Sequence, residues 1–296
     1  MSRFPWSHWS ASWPVLIIYA AVAGVHLAGM LRLLSRRPPA GRRAVIREAV
    51  VFQGGLLVAA AAIVSPLGYW SGVYIWVRAI QDLTLTLVAP GLIVLGAPWA
   101  ALARGLGRPA PGGSQAAGPP PWWLRWPVAT VVAFNVIWVA WHLPALFDLA
   151  PASRVAAAAE YLLYLGAGIL FWLQLIGSRP WSPAPAPLRR AALLAGTVAV
   201  FTVLGMVLVF GASVIYPAYA NAAHHVTTVL DDQQLSGAVL WMGMLLPVIP
   251  AAVAILMRWL GDEESAAFSA ADVERLLAQP DPALRSSAWP SRPRFR

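Results

Sequence analysis

Two opposite charges, Arg78 and Asp82, stand four residues apart inside an apolar run that extends from about Val73 to Trp99. A run of that length can cross a bilayer, where an ionisable side chain is costly unless it faces protein or water. Spacing of four puts both on one helix face, which suits either a local ion pair or an ion- or ligand-binding site. Gln81 lies beside them. Glu160 is a carboxylate in another apolar segment, just before Tyr161, and has to find Arg78 or some other donor. His142 follows Trp141 and reads either as a hydrogen-bonded interfacial residue or as a metal ligand. Asp231 and Asp232, followed by Gln233 and Gln234, stand at the start of a further apolar segment, where carboxylates cap exposed backbone N–H groups. His224 and His225 are adjacent and are the remaining candidates for a soft or borderline metal. His26 reads as a packing histidine, because bis-His haem ligation would need a second histidine at its depth.

The elements that must position these groups follow from composition. Of 296 residues, 59% are hydrophobic and 11% charged, well below the roughly 25% charged residues of a soluble domain. The chain is therefore an all-α polytopic membrane protein. Its net charge of +9 comes entirely from arginines, which gather in short segments between apolar runs and so mark topology, not a nucleic-acid footprint. Cysteine is absent, which excludes disulfides, thiolate ligands and a thiol nucleophile, and leaves N or O ligands or the six methionines for any metal.

Seven segments are long and apolar enough to span, roughly Pro14 to Leu34, Ala44 to Val64, Val73 to Pro98, Trp123 to Leu143, Val155 to Ile176, Leu188 to Phe210 and Leu235 to Leu260. The first connection carries Arg36, Arg37, Arg42, Arg43 and Arg47, the third Arg104, Arg108 and Arg125, and the fifth Arg179, Arg189 and Arg190; the even connections carry only Arg154. The positive-inside rule then predicts a bundle of seven transmembrane helices with the N-terminus outside and the C-terminus inside. Residues 1–260 form the membrane domain, and 261–296 read as a polar, largely disordered cytoplasmic tail. The first apolar segment is too long, and too closely followed by arginines, for a cleavable signal. With this topology Arg78, Asp82, His142, Glu160, Asp231 and Asp232 share a depth near the outer face, brought there by four helices. Nucleotide-binding, metalloprotease and serine-hydrolase motifs are absent, so the expectation is a protein that is not an enzyme.

The order and wording of several segments resemble the membrane assembly factors of caa3-type cytochrome c oxidases, the CtaG-like family. The matching stretches are Ser65-Pro66-Leu67; Gln81 with Leu87-Val88-Ala89-Pro90 and Leu95-Gly96-Ala97-Pro98-Trp99; and Trp141-His142-Leu143-Pro144-Ala145-Leu146-Phe147-Asp148. They continue with Glu160 followed by Leu170-Phe171-Trp172, Tyr216-Pro217-Ala218-Tyr219-Ala220, and Asp232-Gln233-Gln234-Leu235 with Gly237 and Trp241. The resemblance implies a protein of the bacterial plasma membrane that helps mature a haem-copper oxidase, meets an oxidase subunit within the lipid bilayer, and handles copper for the catalytic subunit. It also implies histidines where this chain has Arg78 and Asp82, and often where it has Tyr161, so that only His142 remains of an outer cluster. A guanidinium cannot ligate a metal and repels one. Two readings stay open: a salt-bridged plug of Arg78, Asp82 and Glu160, or copper bound through His142, His224, His225 and nearby acids. Alternative functions are a copper or small-solute transporter and a structural accessory subunit of a respiratory complex. Gly24 with Ala28, and Gly166 with Gly168, are candidates for close helix packing.

Overall fold

The computed structural model describes residues 8–9, 12–35, 38–111, 125–181, 185–219 and 228–278. Among these residues the regular elements are all helices. The chain divides into two compact units, Met1–Ile255 and Leu256–Arg296.

The first unit begins with α1 (Trp13–Leu34) and α2 (Pro39–Val64), each with proline in its first turn, where the missing N–H is no loss. Ser65 ends α2 and caps α3 (Pro66–Trp70) by accepting from the Leu67 N–H at 3.2 Å. The third span is compound: α4 (Ile75–Leu83), one π-helical turn over Thr84–Val88, and α5 (Ala89–Leu95). Several causes of the wide turn are local. Pro90 has no N–H to offer the Thr86 carbonyl, while the hydroxyls of Thr84 and Thr86 bond back to the carbonyls of Ile80 (2.7 Å) and Asp82 (2.6 Å). The Trp172 indole N–H donates to the Leu87 carbonyl at 2.8 Å, and Gly168 lets its helix approach so closely that a Cβ there would strike the Thr86 carbonyl. This span is the axis of the bundle: 78% of it is buried, against 17% of α1.

After α5 the chain turns at Gly96-Ala97-Pro98, with Ala97 held at φ 42, and enters α6 (Trp99–Gly105). The left-handed backbone at a non-glycine residue is strained. Gly96 is confined as well, since a Cβ on it would lie 2.6 Å from Phe52. Helix α6 packs along α1 through Gly29 and Gly105, each facing a carbonyl of the other helix, whereas Gly24 faces open space; the expected Gly24 and Ala28 contact is thus made one turn along, by Gly29.

The fourth segment departs from the single span expected over Trp123 to Leu143. Helix α7 (Pro127–Trp141) has 15 residues, about 22 Å, and the path bends by 73° into α8 (Pro144–Phe147) and α9 (Leu149–Ala152). Pro144 holds the preceding Leu143 extended at φ -70, ψ 137, which stops α7. Among the described residues six helices are therefore long and apolar enough to cross a membrane, or up to seven if the bent pair is one span.

Ser153 caps α10 (Arg154–Leu175), and α11 (Pro187–Phe210) leads to a short 3-10 turn at Pro217–Tyr219. Helix α12 (Val229–Gly243) starts six residues before the expected Leu235, because Thr228 and Asp231 form a reciprocal capping box. Helix α13 (Leu245–Ala278) carries the chain into the second unit, which is helical through Ala278. The core is built around aromatic stacks, Phe134 on Phe171 at 4.3 Å and Trp138 on Phe201 at 4.2 Å. Leu162, Leu188, Val207 and Leu246 are exposed, as expected of surfaces meant for lipid. The antiparallel helices bring Arg32, Arg42, Arg43, Arg47, Arg104, Arg108, Arg125, Arg179 and Arg189 to one end of the bundle, and Arg154 to the other.

Candidate functional site

The first turns of α4 need a cap, and Tyr74 at its N-cap position offers no side-chain acceptor. Asp232, completely buried in the first turn of α12, supplies it: its carboxylate accepts from the backbone N–H groups of Ile75 at 2.9 Å and Trp76 at 3.0 Å. Asp232 is thus a helix cap, as read from the sequence, but of a different helix from its own. Asp231 caps α12 itself. Gln233 staples the α11–α12 connection, accepting from the Ile215 N–H at 2.7 Å and donating to the Ser213 carbonyl at 3.1 Å. These three residues position the site from behind.

Anchored in this way, α4 directs Arg78, Gln81 and Asp82 into the protein. Arg78 is 3% exposed, and both terminal nitrogens of its guanidinium are hydrogen-bonded. Nη2 donates to Glu160 Oε1 at 2.7 Å; Nη1 donates to the Phe147 carbonyl at 2.8 Å and to the Tyr219 hydroxyl oxygen at 3.2 Å. Its Cζ lies 3.8 Å from the centre of the Phe147 ring, a cation–π contact in a dry setting. The i,i+4 neighbour Asp82 is the weaker partner, with Oδ2 at 3.8 Å from Arg78 Nε. Neither Asp82 oxygen accepts a hydrogen bond, although the residue has no exposed surface.

His142 caps the end of α7 and is buried. Its Nδ1 lies 2.9 Å from the Trp138 carbonyl, which can only accept, so a proton is assigned to Nδ1, and Nε2 faces Asp82 Oδ2 at 3.9 Å. Gln81 is turned toward α2 and donates to the Ala62 carbonyl at 2.7 Å. Tyr161 packs partly buried against the core. The structure therefore brings Arg78, Asp82, His142 and Glu160 together and sets Gln81, Tyr161, Asp231, Asp232 and Gln233 around them as supports. His224 and His225 lie outside the described residues. At the arginine-rich end His26 is a packing histidine, with Nδ1 3.2 Å from Gln53 Nε2 and its ring 4.2 Å from that of Phe52.

Three contributors were missed as site residues, and all come from bends and connections. Phe147 lies on α8, just past the 73° bend, and Tyr216 and Tyr219 lie just after α11. The Tyr219 hydroxyl donates to the Ser71 carbonyl at 2.9 Å while accepting from Arg78. The Tyr216 hydroxyl donates to the His142 carbonyl at 3.0 Å, and its ring stacks on Phe147 at 3.8 Å. Burial pushes the Tyr219 phenol up to about 12, outweighing the opposing pull of Arg78, and pushes Tyr216 up as well. Both hydroxyls therefore keep their protons and remain donors at neutral pH. Tyr164, Tyr216 and Tyr219 are fully buried around this cluster; the signal available in the sequence was that Phe147, Tyr216 and Tyr219 stand in the stretches that carry the family resemblance.

Copper, implied by the family resemblance, can be tested against this donor set. Among the described residues no group of three or more histidine, aspartate or glutamate side chains is placed to hold a metal ion. The nearest approach is Asp82 with His142, and the same carboxylate has a fixed positive charge 3.8 Å away. The residues described do not fit a copper ion. They fit a structural ion-pair network that joins α4, α8, α10 and the Pro217–Tyr219 turn.

Comparisons with known proteins agree with the resemblance seen in the sequence. An uncharacterised protein of Mycobacterium leprae is 26% identical over 198 residues, covering 62% of this chain and 29% of the relative. Uncharacterised proteins of Mycobacterium bovis and Mycobacterium tuberculosis are each 26% identical over 203 residues, with the same shares. The matched region thus spans under a third of the length of these curated relatives. No solved structure gives a significant match. The model of the cytochrome c oxidase caa3 assembly factor family matches residues 24–262, most of the chain, and the protein belongs to that family.

Proposed function

We propose that this chain is a non-catalytic assembly factor of the bacterial plasma membrane that contacts a haem-copper oxidase subunit within the bilayer, with its N-terminus outside. The family match over residues 24–262 carries this reading. The orientation is supported by the collection of arginines at one end of the bundle, which the positive-inside rule assigns to the cytoplasm. In this orientation the Arg78 cluster closes the outer end.

Its role is that of a plug: the guanidinium holds α8 and the Tyr216–Tyr219 segment in fixed positions and so shapes the outer surface offered to the oxidase. Copper, on this reading, is the cargo of the assembly process and is not held at Arg78. Deleting the gene should lower copper in the oxidase binuclear centre while the catalytic apoprotein persists; unchanged copper occupancy and oxidase activity would reject the assembly role. For the plug, elemental analysis of the purified protein separates the alternatives. About one copper per chain, lost on His142→Ala, would overturn it.

A further inference from the structure

An apolar groove of about 530 Å³ runs between α7 and α10 on the outside of the bundle. Trp126, Ala129 and Ala133 form one wall, Gly166 and Leu170 the other, and Phe134 contributes to its lining. Gly166 keeps the groove open, since a Cβ there would meet nothing within 4 Å. The hydroxyl of Thr130, in the same lining, is spent on the Trp126 carbonyl at 3.0 Å, so its hydrogen is not offered to a polar occupant.

Depth and charge select the occupant. The α7 wall runs from Trp126 to Ile137, twelve residues, or about 17 Å of helix. That is roughly half of a hydrocarbon core of about 30 Å, the depth of one leaflet. A partner helix crossing the membrane would call for a groove about twice as long. The groove begins at the arginine-rich end, where Trp126 is 66% exposed, as interfacial tryptophans are, and the preceding Arg125 is exposed too. An acyl chain in the groove would place its phosphate at the level of this guanidinium.

We infer that the α7–α10 groove binds one anionic phospholipid of the arginine-side leaflet, its acyl chain against Gly166 and its headgroup at Arg125. The inference is independent of the oxidase role. The test reconstitutes the full chain with equal amounts of phosphatidylglycerol and phosphatidylcholine of identical chains, then counts retained lipid by native mass spectrometry.

Wild-type protein should retain one phosphatidylglycerol in preference to phosphatidylcholine. Arg125→Gln should cut that preference about fivefold, the value of one arginine at an anionic surface. Gly166→Leu should lose the retained lipid of either kind, and Ala133→Leu, filling the same groove from the other wall, should do the same. Equal retention of both lipids by wild type, or unchanged retention in all three variants, would overturn the site as nonspecific annular lipid. Loss of a copurifying protein or of self-association in Gly166→Leu, with lipid retention unchanged, would overturn it in favour of a helix-docking groove.

Discussion

The two ends of the bundle use charge in opposite ways. At one end the arginines lie largely at the surface or spend their donors on helix termini, as Arg32 does on the carbonyls of Arg104 and Gly105. At the other end a single arginine is buried among two carboxylates, an imidazole, two tyrosines and the Phe147 ring. Arg43, Arg47 and Arg125 are exposed, whereas Arg78 is held by partners from four separate segments. Charge at the first end sets orientation; at the second it fixes tertiary structure, because a dry ion pair cannot lose one member cheaply.

The contrast can be broken most sharply at Arg78. Arg78→Ala should destabilise the protein by about 3–5 kcal/mol, read from unfolding in detergent, because it strands a buried carboxylate. Adding Glu160→Gln should recover more of the loss than adding Asp82→Asn, since Glu160 is bonded at 2.7 Å and Asp82 lies 3.8 Å away. Larger recovery with Asp82→Asn would mean that the i,i+4 pair dominates after all. Asp232→Ala should cost about 1–3 kcal/mol by leaving two buried N–H groups of α4 unpaired, and should speed amide exchange at Ile75 and Trp76 specifically.

Tyr219→Phe removes the bond to Ser71 and should cost about 1 kcal/mol at neutral pH. Its pH signature is distinct. Above about pH 10 the unfolded phenol ionises while the folded one keeps its proton to about 12, so stability falls across that window. The Tyr219→Phe variant should show a shallower fall between those values in an alkaline unfolding series, and an unaltered slope would place the phenol in an ordinary environment. At the other end Arg43→Gln, on an exposed position, should change stability by no more than about 0.5 kcal/mol in the same unfolding assay.

Much of this organisation was legible in the residues alone. Apolar length locates six spans to within a few residues at most ends, and depth alone groups the polar residues Arg78, Asp82, His142 and Glu160. What hydropathy could not supply was direction. It cannot separate the central third span from the peripheral first, because both are apolar and only packing distinguishes protein from lipid as the neighbour. The i,i+4 spacing of Arg78 and Asp82 suggested a pair on one helix, yet a guanidinium reaches across helices, and Glu160 offers the better geometry. The bend at Pro144 brings in Phe147, and the loop after α11 brings in Tyr216 and Tyr219. None of these lies on a regular span, so no periodicity marked them.

The cap that Asp232 places on α4 joins residues 157 positions apart. At ribosomal speeds of about 5–20 residues per second, the start of α4 emerges roughly 8–30 s before the carboxylate that completes it. During that interval the N–H groups of Ile75 and Trp76 lack the acceptor that caps them in the finished fold. The polypeptide is thus closed by its last helices: the central element is laid down early and is locked only when α12 arrives.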